Sequence, residues 1–375
     1  MEFFAPRSGG EALRLSLKEL ASRTDRDLKE SDLFRRAARS ALYGPRWRAV
    51  GVNPDRLQGR VALRELPFID GNDLIAMAAS GSSLRKALLT RPRTWVTSRG
   101  ASPAPKKWLP LTLGDTAHWF SRAQRVLELF AGPDDDAAPT LFLAMNEPMP
   151  RVSNALPYLW ERADYLAGPR RYEFIIAATS MLWRNHWDRF ALQKQPRWLA
   201  GSVADARFLA QEMGADVQRL MTQPSRGLFW GQPLDGSGGA DGTQAKGERS
   251  DLQEIYGLAE SFSLYLSAEC REMYAECPAH TGLHLWMDGA IHEILPSSTG
   301  VPASEGQVYA ETLFVDQAPP GTEGEYILTT FGEALPLVRY RTGDRIRVVG
   351  TKPCACGITH PRVLFLGRLG TPSAG

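Results

Sequence analysis

Four cysteines, Cys270, Cys277, Cys354 and Cys356, are confined to the C-terminal third of the chain. In a chain with no secretion signal, that clustering points to thiols or a metal more than to disulfides. Two carboxylates stand behind glycine-bearing segments: Glu260 after Tyr256-Gly257-Leu258-Ala259, and Asp344 after Tyr340-Arg341-Thr342-Gly343. An ionised carboxylate is a strong two-oxygen acceptor. A bare Thr-Gly-Asp also reads as a surface turn with its aspartate in a salt bridge. The glycine-rich stretch from Gly231 to Gly242 lacks the lysine and serine/threonine ending of a P-loop and reads as a loop. Tryptophans cluster in the middle (Trp160, Trp183, Trp187, Trp198), either as core fillers or as walls for a flat ligand.

These residues need elements to hold them. The first ninety or so residues read as helical, with Ser31-Asp32 as a cap for the run from Leu33 to Ala38 and an interruption at Leu66–Asp70. From Thr94 the pattern changes. Short apolar strands are expected at Thr94–Ser98, Thr140–Met145, Tyr172–Ala178, Arg197–Ala200 and Gly227–Trp230. Helices lie between them over Asp115–Ala131, with a capping box at Thr112–Asp115, and over Ala204–Met213. Continuous apolar strands alternating with helices indicate buried parallel sheet. Beyond Gly282 short strands dominate, at Leu283–Trp286, Ile291–Leu295, Gln307–Leu313, Tyr326–Thr329, Leu337–Tyr340 and Ile346–Val349.

The composition excludes several function classes. Lys+Arg 44 against Asp+Glu 42 leaves a formal charge of +2 with no basic block, so a nucleic-acid surface is not expected. No apolar run is long enough to cross a membrane, and Met1–Ser16 carries no apolar signal core. The expected location is the cytoplasm.

The segment Leu335-Pro336-Leu337-Val338-Arg339-Tyr340-Arg341-Thr342-Gly343-Asp344 resembles the ribose-binding segment of adenylate-forming enzymes, especially the phenylacetate–CoA ligase branch. The resemblance implies that Asp344 accepts hydrogen bonds from both ribose hydroxyls. Tyr256-Gly257-Leu258-Ala259-Glu260 resembles that family's tyrosine–glycine–X–threonine–glutamate segment, which implies a Tyr256 stacked on adenine and a Glu260 that holds Mg²⁺ on the phosphates. Ala259 replaces the threonine. Gly282–Asp288 with Glu293-Ile294, Cys354–Arg362 and Gly367-Arg368 narrow the resemblance to the same branch, and Arg368 falls where it has an arginine near the ribose. Thr97-Ser98-Arg99-Gly100-Ala101-Ser102-Pro103-Ala104-Pro105-Lys106 stands where the family has its phosphate loop. Thr97, Ser98, Gly100 and Ser102 would meet phosphates and Lys106 would be catalytic with Glu260; two prolines remove backbone donors. Gly231 and Gly257 complete the nucleotide-binding candidates.

The resemblance further implies a structural zinc site from Cys277, His284, Cys354 and Cys356, with Cys270 and His280 as alternative ligands. Tyr158, Trp183 and His186 fall where relatives build the acyl pocket. The implied fold is α/β: an adenylate-forming N-terminal domain with two parallel-sheet αβ lobes and a small β-rich lobe, without a C-terminal lid domain. The expected segments are 1–93 (helical), 94–255 (αβ, phosphate loop and acyl pocket) and 256–375 (nucleotide motifs and β-rich lobe). The implied function is activation of an aromatic carboxylic acid, such as a phenazine carboxylate of antibiotic biosynthesis, by ATP and Mg²⁺. The acyl-adenylate would pass to a separate reductase or acyl acceptor protein. A degenerate, non-catalytic adenylation fold that binds a ligand or partner is the alternative.

Overall fold

The structure is a computed structural model that describes residues 13–79, 85–97, 107–131, 139–144, 173–178, 193–235, 247–297 and 311–369. It divides into two compact units, each assembled from separate stretches of chain. The first holds Met1–His118, Ser267–Arg271 and His284–Gly375; the second holds Trp119–Leu266 and Glu272–Leu283. Contiguous segments do not reproduce this division, because the chain returns to the first unit after building the second.

The first unit begins with helices α1 (Leu17–Glu30), α2 (Leu33–Arg39), α3 (Gly44–Ala49) and α4 (Gly71–Ala79). Ser16 and Glu19 close a capping box at α1: the Ser16 hydroxyl accepts from the Glu19 N–H and the Glu19 carboxylate accepts from the Ser16 N–H. The cap expected at Asp32 is not made. That residue sits in the left-handed region (φ 50°) and its carboxylate lies 3.8 Å from Arg35 instead. Strands β1 (Thr94–Thr97) and β2 (Trp108–Leu111) form an antiparallel pair. The remaining strands are β9 (Leu283–His284), β10 (Ala290–Pro296), β11 (Leu313–Phe314), β12 (Glu323–Thr330), β13 (Tyr340–Gly350) and β14 (Arg362–Arg368). They form a sheet in the order β11-β10-β12-β13-β14-β9. Pairing is antiparallel from β11 through to β14.

The second unit is wound around a sheet of order β4-β3-β5-β6-β7-β8. Its strands are β3 (Pro139–Ala144), β4 (Glu173–Ala178), β5 (Trp198–Ser202), β6 (Arg226–Trp230), β7 (Glu260–Ser267) and β8 (Glu272–Ala275). The pairs from β4 to β7 are parallel. All five residues of β5 are buried, as the continuous apolar run requires. Helices α6 (Val203–Met213) and α7 (Glu248–Tyr256) cover the sheet, and Leu199, Val203, Phe229, Leu252 and Tyr256 share one core with them. Helix α5 (Leu113–Ala131) has the capping box expected at its start: the Asp115 N–H donates to the Thr112 hydroxyl and the Thr112 N–H to the Asp115 carboxylate, both at 3.0 Å.

Among the described residues the second unit's sheet is parallel from β4 to β7 and the first unit's sheet is antiparallel from β11 to β14, an α/β architecture with a β-rich part as expected. Two expectations change. Strands β7 and β8 form in a stretch where no strand is expected from the sequence. The expected strand at Leu337–Tyr340 is an irregular approach, and β13 starts only at Tyr340 and runs unbroken past the Gly343-Asp344 pair. Trp198 is 2% exposed and packs edge-on against Phe130, so this member of the tryptophan cluster is a core filler.

Candidate nucleotide and metal sites

In the first unit, the approach to β13 is held rigidly before it reaches Asp344. Arg339 is fully buried in a left-handed conformation (φ 51°). Its guanidinium lies 4.1 Å over the Phe68 ring, donates to the Leu66 carbonyl (2.7 Å) and the Thr312 hydroxyl (2.9 Å), and stands 3.3 Å from Glu293. A buried charge of this kind is tolerated only when paired and hydrogen-bonded. Tyr43 fixes the preceding residues: its hydroxyl donates to the Pro336 carbonyl (3.0 Å) and accepts from the Val338 N–H (2.9 Å). Glu293 and Arg339, read in separate sequence segments, thus meet in the core and serve the scaffold.

Along β13 burial alternates, so Tyr340, Thr342 and Asp344 share the inner face. Asp344 faces Arg368 across the β13–β14 register. The Arg368 Nε lies 3.8 Å from the Asp344 carboxylate and its terminal nitrogen donates to the Thr342 carbonyl at 3.0 Å. The Asp344 N–H donates to the Thr342 hydroxyl (3.1 Å), which itself donates to the Tyr326 carbonyl (2.8 Å). Gly343 has φ 74°, and a Cβ there would stand 3.3 Å from the Arg368 guanidinium. Glycine therefore lets the arginine lie over the strand. Thr342, Gly343 and Arg368 open onto a cavity of about 750 Å³ whose walls include Phe68, Tyr340 and Lys107. The size suits a small-molecule ligand.

The second unit carries the other motif. Gly257 ends α7 at φ 64°, the left-handed stop that glycine adopts without strain. The Ala259 N–H then donates to the Ser225 carbonyl (2.8 Å), which delivers Glu260 to the first position of β7. Glu260 is partly exposed and lies 3.1 Å from the Arg226 guanidinium and 3.9 Å from the His280 ring. His280, at φ 50°, also stands 3.6 Å from Glu276 and stacks on Phe262. Tyr256 corrects the expectation of an adenine-stacking ring. It is fully buried in the α6–α7 core, its hydroxyl donates to the Ala206 carbonyl at 2.5 Å, and burial pushes its phenol up. The spacing of α7 turns position 256 inward, so neither ring face is open to a base. Gly231, φ 97°, follows β6, and Thr97 is buried in β1. Ser98, Gly100, Ser102, Lys106, Tyr158, Trp183 and His186 lie outside the described residues.

The metal candidates converge. Within the first unit, one ligand atom from each of His284, Cys354 and Cys356 lies within 4.8 Å of the others; Cys277, the fourth candidate, belongs to the second unit. Cys354 and Cys356 sit on a tight turn closed by the Cys354 N–H to the Ile358 carbonyl and the Gly357 N–H to the Cys354 carbonyl, each 2.9 Å. The Cys356 sulfur is 3.6 Å from the His284 Nε2. His284 is buried, and burial pushes the imidazole down to about 4. It is therefore neutral at physiological pH, the form that ligates metal. Thiolates and imidazole are the ligands zinc prefers, so these residues fit the ion. Of the alternatives, Cys270 lies outside the group and His280 faces carboxylates.

No protein-family model matches the sequence. A phenylacetate–coenzyme A ligase of Thermus thermophilus is 35% identical over 116 residues, 30% of this chain and 21% of that protein. One from Aromatoleum evansii is 35% identical over 100 residues, 26% of this chain and 18% of that protein. The matches thus span about a fifth of the relatives' length, and over that stretch the chain is homologous to phenylacetate–CoA ligases. A 2-hydroxyisobutyryl-CoA ligase in an open conformation, with 2-HIB-AMP and CoA, superposes over 97% of this chain and 79% of its own at TM-score 0.72 and 14% identity. The same enzyme in a postadenylation state gives 0.73 over 97% and 72%. The chain has the adenylate-forming fold. Among the described residues no helix is long and apolar enough to cross a membrane.

Sequence reasoning missed Lys107, Glu269 and Arg226, and it offered His280 only as an alternative metal ligand. Only Lys107 left a signal, as the second of two lysines closing the loop that ends at Lys106.

Proposed function

We propose that this chain activates a carboxylic acid with ATP to form an acyl-adenylate. The observation that carries this reading is the Asp344–Arg368 pair, fixed across β13 and β14 beside an open cavity in the adenylate-forming fold. Asp344 would accept from the ribose hydroxyls, with Arg368 closing over the same strand. The acid's carboxylate oxygen would attack the α-phosphorus; a new P–O bond forms, the bond to the β-phosphate oxygen breaks, and pyrophosphate leaves with the electron pair. Such a reaction depends on alignment and charge stabilisation. Glu260 would hold the Mg²⁺, which when bound neutralises charge on the phosphates. Glu260 must then exchange its Arg226 partner for the ion. Lys106 would add positive charge at the phosphates.

The substrate would be an aromatic acid. This rests on the resemblance to the phenylacetate–CoA ligase branch and on the aromatic-rich middle at Tyr158, Trp183 and His186. A phenazine carboxylate is the specific candidate, and a reductase or acyltransferase the acceptor. His284, Cys354 and Cys356, with Cys277 as the fourth candidate ligand, would hold a structural zinc that ties the Cys354–Cys356 turn to His284. ATP–pyrophosphate exchange with a panel of aromatic acids tests the function: exchange dependent on one of them supports it, and absence of both exchange and ATP binding ends it. One zinc per chain after purification without chelator is expected.

The second reading is a ligand-binding protein without turnover. It is favoured by the closed ion pair between Arg226 and Glu260, by Ala259, and by the buried Tyr256. It predicts ATP binding without exchange.

A further inference from the structure

The cavity beside Asp344 has a lysine set into its wall that the proposed reaction does not use. Lys107 is 15% exposed, and its ammonium lies 2.6 Å from the Glu269 carboxylate and 3.2 Å from the Tyr340 hydroxyl. The Tyr340 hydroxyl is 3.4 Å from the same Glu269 oxygen, so the three groups close a triangle. Burial pushes the Glu269 carboxyl up, but Lys107 outweighs it and the group stays below the usual carboxylate range. Burial and the neighbouring Glu269 hold the Tyr340 phenol well above its ordinary value, so it remains a neutral hydroxyl. A charged, hydrogen-bonded pair at this depth has a defined geometry, unlike an exposed ion pair.

The surroundings are shaped for the lysine. A Cβ on Gly71 would stand 2.7 Å from Lys107 Cε and 2.9 Å from Nζ, so the end of the lysine side chain would have to shift away from its present position. Gly71 is the first residue of α4, and the space a side chain would fill there holds the end of the lysine. The triangle joins three separate pieces of the first unit: the chain entering β2, the 267–271 segment, and the first residue of β13. Tyr340 and Asp344 share the inner face of that strand, four positions apart, or ~13 Å at strand rise. Lys107, Tyr340, Thr342, Gly343 and Arg368 border one cavity.

We infer that Lys107 is a positioning residue for the nucleotide: through Glu269 and Tyr340 it fixes the first residue of β13, and with it the strand face on which Asp344 receives the ribose. This rests on the reading of Asp344 as the ribose acceptor. The ammonium is locked to protein groups, so its effect on the ligand passes through β13 and not through direct contact. Breaking the triangle should loosen the nucleotide and leave the acid untouched.

The test is the ATP·Mg²⁺ affinity of the full chain by calorimetry, with the KM values for ATP and for the acid in the exchange assay. Lys107→Met is expected to weaken ATP about tenfold, the value of one charge-assisted contact, while the KM for the acid stays unchanged. Gly71→Ala keeps the lysine but fills its seat, and is expected to weaken ATP in the same direction; it carries the test if Lys107→Met does not fold. Tyr340→Phe is expected to give a loss of about threefold, as for a single neutral hydrogen bond. ATP affinity equal to wild type in both Lys107→Met and Gly71→Ala overturns the inference while leaving the proposed function standing. Equal losses for ATP and acid, accompanied by a fall in Tm, show a general structural role and also overturn it. A wild-type chain that binds no ATP overturns the inference together with the function on which it rests.

Discussion

The two motif-bearing regions are built on opposite plans. In the first unit, Asp344 sits on a long antiparallel strand whose approach is locked by buried Arg339 and Tyr43, with its cross-strand partner Arg368 at 3.8 Å. In the second unit, Tyr256 is sealed in a core and Glu260 is closed onto Arg226 at 3.1 Å. One region spends its buried polar groups on fixing the backbone that carries Asp344, the proposed ribose acceptor. The other has absorbed a candidate ligand-facing ring into packing and paired its carboxylate. A recognisable motif therefore does not imply one state of readiness. The difference predicts that nucleotide affinity depends on β13 far more than on Tyr256.

Truncating Tyr256 should separate these plans most sharply. Tyr256→Ala is expected to lower unfolding stability by about 3–5 kcal/mol, the usual cost of deleting a large buried aromatic side chain, measured by urea titration. Tyr256→Phe should cost about 1 kcal/mol, because the Ala206 carbonyl loses its donor, and should leave ATP affinity unchanged. An unaltered stability with a large loss of ATP affinity would restore the stacking role and erase the contrast.

The next largest effect concerns the scaffold of the first unit. The Asp115 carboxylate caps α5, lies 3.3 Å from Arg271, and accepts from the backbone N–H groups of Glu333 (2.9 Å) and Ala334 (3.3 Å). Burial raises its pKa, but Arg271 and the backbone donors outweigh burial and hold it below its ordinary 3.8. A carboxyl depressed in the folded state contributes stability at pH values above its unfolded pKa, and that contribution is lost as pH falls through the lower, folded value. Asp115→Asn is therefore expected to cost about 3 kcal/mol at pH 7, since it leaves Arg271 buried beside a neutral group. The difference from wild type should shrink below pH 4 in denaturant midpoints. A difference independent of pH would show that the charge is not what holds α5.

The smallest effect tests the closed carboxylate of the second unit. Arg226 and Glu260 are 37% and 38% exposed, so Arg226→Ala should change stability by less than about 1 kcal/mol. It should also free Glu260 and make ATP binding more responsive to Mg²⁺. An unchanged Mg²⁺ response would remove Glu260 from the metal role.

Much of the fold was legible because its signals are local. The Thr112–Asp115 box, the apolar β5 and β6, and the helix ending at Met213 depend on residues next to one another, and each formed within a residue or two of expectation. Asp344 and Arg368 stand out in the sequence as a motif, and the cysteines with His284 as candidate ligands. What escaped depends on long-range placement. Lys107 and Glu269 are 162 residues apart, Arg339 and Leu66 273 apart, and nothing local announces either contact. Tyr256 was misread for the same reason: a tyrosine before glycine carries no mark of whether its ring faces solvent or α6. The antiparallel pairing of β10 to β14 escaped because short apolar strands look alike whatever their partners.

The most direct test of the central claim is calorimetric titration of ATP·Mg²⁺ into wild-type protein and Asp344→Asn side by side. The wild type should bind, and the variant should bind about 100-fold more weakly, the combined loss of two charge-assisted hydrogen bonds. Equal affinity in the two proteins would contradict the account, because it would place the ribose somewhere other than β13.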